Sequence, residues 1–158
     1  MGRQRSARAD SEKQVMAALP NWVNTISQLN RLIADRMGVT ASDLDCLHVL
    51  RLHGPATAAE LAVRVGLTPG SVSRMIDRLD AAGCVVRTDD PEDRRRVLIE
   101  ANNDGLDRIG DYYAGLTARS HDDLAVFDDE ELSVLLRFVE RSQISAAAEL
   151  ARLRQERS

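Results

Sequence analysis

Arg74 and Arg78 stand one helical turn apart, and Arg94, Arg95 and Arg96 stand in a row further along the chain. An arginine side chain carries a rigid fork of donors that fits a phosphate or the O6 and N7 acceptors of guanine. Thr68, Gly70, Ser71 and Ser73 precede and flank the first pair. Hydroxyls can bond phosphates or base edges, and a glycine lets a backbone come close. This is chemistry for holding an anionic polymer. Little else in the chain suggests bond-making. His48, His53 and His121 are unpaired in sequence, and there is no nucleophile–His–acid motif, no glycine-rich phosphate loop and no metal-ligand spacing. The expectation is a protein without enzymatic activity, cofactor or metal.

The elements that would position those arginines follow from periodicity and capping. Val72, Met75, Ile76 and Leu79 fall at i, i+3, i+4 and i+7, so they predict a helix with one apolar stripe. Thr68 then Pro69 supplies a cap and a favoured first-turn proline, and Gly83 closes the helix. Thr68, Gly70, Ser71, Ser73, Arg74 and Arg78 are the candidate contacts on and beside its outer face. Upstream, Thr57 and Glu60 predict a capping box for a shorter helix carrying Leu61, Ala62 and Val65, turned by Gly66. Downstream, residues 85–88 and 97–100 are β-branched runs that read as two strands. The loop between them holds Asp90-Pro91, a turn signal, and ends in the three arginines. Helix, turn, outward-facing helix and arginine-tipped hairpin make a winged helix-turn-helix, spanning residues 40–101.

Each half of this reader also has a plainer reading. Asp77 and Asp80 sit beside Arg74 and Arg78, and could pair with them on a solvated face. Asp89, Asp90, Glu92 and Asp93 could neutralise the hairpin tip, or Asp93 could buttress an arginine while Arg94 or Arg95 enters a minor groove. The two devices in immediate succession favour DNA.

The flanks are helical. Val15, Leu19, Trp22, Val23, Ile26, Leu29, Ile33 and Met37 recur at helical spacing, with Pro20 as a kink or a fresh start. Thr40 with Asp43 opens a second helix, apolar on nearly every side and so expected at the centre. After residue 103 comes a long helix through Leu106, Ile109, Tyr112, Leu116 and Leu124. Asp128 with Glu131 opens a last one through Leu132, Leu135, Leu136, Val139 and Ile144. The first ten residues read as a flexible tail, and residues 11–158 as one domain.

Composition agrees with a mainly helical fold. Aromatics are 3% of 158 residues, too few for a β-sandwich, while 44% hydrophobic residues suffice for a core. The net charge of −4 gives no global attraction to DNA, so positive charge must be local. Cys46 and Cys84 make no disulfide framework, and burial as small apolar residues is their ordinary role. The basic N-terminus leads into no apolar run, and no stretch approaches membrane-spanning length; a cytoplasmic protein is expected.

The stretch from Glu60 to Ala101 resembles the MarR family of bacterial transcriptional regulators. Ser73, Asp77-Arg78-Leu79, Gly83, Asp90-Pro91 and Asp93-Arg94-Arg95 match the family's recognition helix and wing, and the likeness extends over about residues 20 to 150. The resemblance implies a homodimer on a pseudo-palindromic operator, with residues 11–38 and 103–158 as dimerisation helices flanking the winged lobe. It assigns DNA contacts to the recognition helix and to Arg94, Arg95 and Arg96, with Asp93 as buttress. It also implies a small, commonly aromatic acid bound between dimerisation helices and lobe. The lining would come from Trp22, Ile26, His48, Arg51 and Tyr112, each of which could equally be a packing or ion-pairing residue. Two departures stand out: no cysteine lies near the start of the first helix, where peroxide-sensing members resemble one another, and Ala101-Asn102 replaces a common Leu-Thr. The alternative function is a protein-interaction module that keeps the fold without reading DNA sequence.

Overall fold

The computed structural model describes residues 2–156. Six helices and three short strands follow one another: α1 (Gly2–Met37), α2 (Ala41–His53), β1 (Ala56–Thr57), α3 (Ala58–Val65), α4 (Pro69–Ala81), β2 (Val85–Asp89), β3 (Val97–Ala101), α5 (Asn103–Leu124) and α6 (Asp129–Gln155). The fold is mainly α with a small antiparallel wing, as the sequence predicts. The chain divides into two compact units, Met1–Tyr112 and Tyr113–Ser158.

Local signals set most helix boundaries. Thr40 with Asp43, Thr57 with Glu60 and Asp128 with Glu131 each form a reciprocal capping box. In each box a side chain satisfies an amide that the helix cannot, which stabilises a helix start by about 1 kcal/mol. Gly66 (φ 69) and Gly83 (φ 65) follow α3 and α4 in left-handed geometry, where any side chain would be strained.

The first unit has one core. Cys46, Leu47 and Leu50 of α2 meet Leu61 and Ala62 of α3, the Val72–Met75–Ile76–Leu79 stripe of α4, and Val85 and Ile99 of the sheet. The sheet runs in the order β1-β3-β2. Its hairpin pairs Val85 with Ala101 and Asp89 with Val97, so residues 90–96 form the wing tip. In the second unit α6 buries none of its side chains. Its first turn is acidic (Asp129, Glu130, Glu131) and its last basic (Arg152, Arg154), both favourable to the helix dipole.

Four expectations change. The third strand, β1, was not foreseen; it is two residues long and pairs Ala56 with Ile99, too short for any periodic signal. Of the two readings of Pro20, the fresh start is excluded, because helix α1 continues through it. The ring only removes the bond to the Met16 carbonyl, which the exposed surface lets water satisfy. The same helix starts at Gly2, inside the segment expected as a tail: that segment is rich in Arg, Ala and Gln, which extend a helix readily. Helix α2 is not buried all round. Asp43, Cys46, Leu47 and Leu50 face inward, while Asp45, His48, Arg51 and Leu52 are exposed. Among the described residues no helix is long and apolar enough to cross a membrane, and no group of three or more acidic, His or Cys residues could hold a metal ion.

Candidate nucleic-acid interface

Helix α4 starts with a compact hydroxyl network. The Thr68 hydroxyl accepts the Ser71 amide at 3.3 Å and donates to the Ser71 hydroxyl at 2.9 Å. Ser73 donates back to the Pro69 carbonyl at 3.1 Å. With Val72, Met75, Ile76 and Leu79 turned inward, Gly70, Ser73, Arg74 and Asp77 face solvent. A Cβ added at Gly70 would meet no atom within 4 Å. The chain's own packing therefore does not require a glycine there.

The arginines divide into two kinds. Arg74 makes no ion pair or hydrogen bond among the described residues, and Arg94 and Arg95 make none through their guanidinium groups. Three others are held. Arg78 places Nε at 2.9 Å and Nη2 at 2.7 Å from the two carboxylate oxygens of Asp43, so its fork is filled from within the protein. Arg87 on β2 reaches Asp77 at 2.6 Å and also bonds Asp80. Arg96 pairs with Glu60 at 2.9 Å and lies 3.5 Å from Asp90. Arg78 and Arg96, expected as DNA contacts, thus fasten the lobe. Asp77 and Asp80, which could have paired with Arg74 or Arg78 in the plainer reading, pair instead with a strand residue that sequence reasoning missed. The hint was available: two acids at i, i+3 on one edge of α4, with a cation on the strand that returns beside it.

At the wing tip the Asp93 carboxylate accepts the Arg95 amide at 3.0 Å, and the Asp93 carbonyl accepts the Arg96 amide at 2.8 Å. Asp93 does buttress the arginines, but through their backbone. Asp90 is buried and closes the base of the tip. Its carboxylate takes the Glu92 amide at 2.9 Å, and its own amide bonds the Arg96 carbonyl at 3.1 Å. Asp90 and Asp93 are thus engaged in turns and, for Asp90, with Arg96, while the Arg94 and Arg95 side chains are exposed.

Electrostatics follow the same pattern. Burial pushes the Asp43 carboxyl up, but hydrogen bonds from Arg78 and Thr40 outweigh it and hold it below the usual range. Hydrogen bonds from Thr57, with Arg96 and Arg64 nearby, hold Glu60 low as well. Cys46 is fully buried, and burial beside the Asp43 charge pushes its thiol up to about 11. Burial raises Cys84 too, against the pull of Arg108. Neither is a ready thiolate.

Of the expected effector lining, Trp22 is 62% exposed, His48 and Arg51 are exposed, and Ile26 is half-buried. Tyr112 lines a cleft of about 380 Å³ with Arg36, Met37, Arg108 and Asp111. His48 is no core histidine; it lies one step outside the inward stripe of α2.

Comparison with known proteins agrees with this layout. A MarR family model matches residues 37–96. An uncharacterised HTH-type transcriptional regulator of Bacillus subtilis, YcgE, is 32% identical over 151 residues, 96% of this chain and 98% of its own. The HTH-type transcriptional repressor MdtR of the same organism is 30% identical over 62% of this chain and 63% of its own. A MarR family protein from Bacillus stearothermophilus has a similar structure, with TM-score 0.67 at 21% identity, covering 87% of this chain and 96% of its own. That last likeness speaks to the fold.

Proposed function

The chain belongs to the MarR family of DNA-binding transcriptional regulators, and on that premise we propose that it is a homodimeric repressor of a two-fold-related operator. One observation carries the reading: Asp77 and Asp80 are paired with Arg87 and Asp90 lies beside Arg96, while Arg74, Arg94 and Arg95 make no ion pair among the described residues. A net charge of −4 does not exclude this, because DNA contact needs only local guanidinium groups, and Arg74, Arg94 and Arg95 present them on one helix and one hairpin tip. Arg74 enters the major groove with the N-terminal half of α4, and Gly70 allows the backbone to come close. Arg94 or Arg95 follows a minor groove. The similarity to a repressor, MdtR, supports repression.

Dimerisation is supported by apolar side chains that the single chain leaves uncovered. Met16 and Trp22 on α1, and Leu136, Val139 and Ile144 on α6, are all more than half exposed. Such a stripe usually marks an interface. The interaction-module alternative is weakened in one of its two motives, since Asp77, Arg78 and Asp80 on α4 belong to internal pairs while Arg74 does not.

The experiment is selection of bound duplexes from a random pool, followed by binding of the winner and of random DNA across a salt series. A two-fold-related motif with half-sites one helical turn apart is expected. Arg74→Ala should cost about 1–3 kcal/mol on the selected site and relax one base preference. Arg95→Ala should weaken all duplexes alike and flatten the salt slope by about one unit. Equal binding of selected and random DNA would sink sequence-specific regulation.

A further inference from the structure

Asp43 is the most completely buried carboxylate described, with no exposed surface. One carboxylate oxygen accepts the Thr40 amide at 2.8 Å and Arg78 Nε at 2.9 Å; the other accepts Arg78 Nη2 at 2.7 Å. Thr40 sits at the corner where α1 ends and α2 begins, just after Gly38 and Val39 close α1 through bonds to the Asp35 and Ala34 carbonyls. A single carboxylate thus holds the α1–α2 corner and, 35 residues away in sequence, the outer edge of α4.

We infer that Asp43 and Arg78 form a positioning clamp for α4, with Arg78 acting through Asp43 and not on DNA. The inference rests on α4 being the helix that enters the groove. Four features carry it. A two-point fork fixes rotation as well as distance, which a single contact cannot do. Arg78 lies in the C-terminal half of α4, whereas base contacts come from the N-terminal residues of such helices. If Arg78 turned to a phosphate, a buried carboxylate would keep only its capping bonds, an expensive arrangement. Finally, Arg74 and Arg78 share a face, so the angle that Asp43 imposes at Arg78 sets where Arg74 points. Both are positioning residues; Arg74 is the reader.

The test uses the full chain with Asp43→Asn, Arg78→Gln, the double variant, and Asp43→Leu/Arg78→Met. The last replaces the ion pair by apolar side chains, a change that commonly preserves folding; circular dichroism and thermal unfolding check each. Binding to the DNA selected by the parent protein, and to random duplex, is measured across a salt series. The clamp predicts that Asp43→Asn and Arg78→Gln lose similar discrimination, about tenfold, and that the double variant loses no more than either. Asp43→Leu/Arg78→Met should fold, lose discrimination, and keep the salt slope. A phosphate contact by Arg78 predicts the reverse: a slope lowered by about 0.9 for Arg78→Gln, and full affinity for Asp43→Asn. That result overturns the clamp.

Hydrogen exchange on the free protein separates this from failure of the DNA reading. If the parent does not discriminate among duplexes, the groove-reading role has failed by itself. The clamp then stands or falls on α4 amide protection, which Asp43→Asn and Arg78→Gln should lower together while the α6 amides stay unchanged. Parental protection in α4 of either variant would overturn it.

Discussion

The first unit and α6 are built from similar residue types, yet they end in opposite states. The lobe turns Leu79, Val72 and Met75 into a sealed core and ties its surface with long-range ion pairs. Helix α6 has an equally regular apolar pattern, a capping box and complementary end charges, but no buried side chain. Amphipathicity alone does not make a core. It makes a face, and the face is finished only when another element lies against it. In the lobe those elements come from the same chain. On α6 no described side chain is fully buried, which is why a second copy is the partner we propose.

The contrast can be tested from both sides. The largest effect should come from the lobe: Leu79→Ala is expected to cost about 2–5 kcal/mol in denaturant unfolding, since the cavity is enclosed by rigid neighbours. A loss below 1 kcal/mol would mean the core is looser than its burial suggests. On α6, Leu136→Glu should leave the lobe folded but shift the sedimentation coefficient to that of a single chain. DNA affinity should then fall by about a hundredfold, because two linked readers become one. An unchanged sedimentation coefficient would place the dimer contact elsewhere.

The smallest effect is a pH dependence. Asp43 is held below its unfolded value, about 3.9. Its contribution is therefore fully present above that value and is lost as pH falls through the lower folded value. Thermal unfolding of the parent and of Asp43→Asn should differ at pH 6, and the gap should start to close only below about pH 4. A constant gap would show that the lobe does not rely on the charged form.

Much of this molecule was legible in the sequence because the signals are local. A capping box joins residues three apart, a glycine turn needs one residue, and the α4 stripe needs four, so Thr40, Thr57, Thr68, Gly83 and Asp128 stand where expected. The outward face of α4 and the tip of the wing follow from the same short-range rules. Only the tertiary structure decided which arginines are free. Arg78 finds Asp43 at a separation of 35 residues, Arg96 finds Glu60 at 36, and Arg87 crosses from the wing strand to the α4 acids. In sequence the six arginines between residues 69 and 101 have the same chemistry and acidic neighbours close by. An ion pair is a matter of distance in space, and chain folding sets that distance. The opening Arg74–Arg78 pair thereby separates into one unpaired arginine and one held by Asp43.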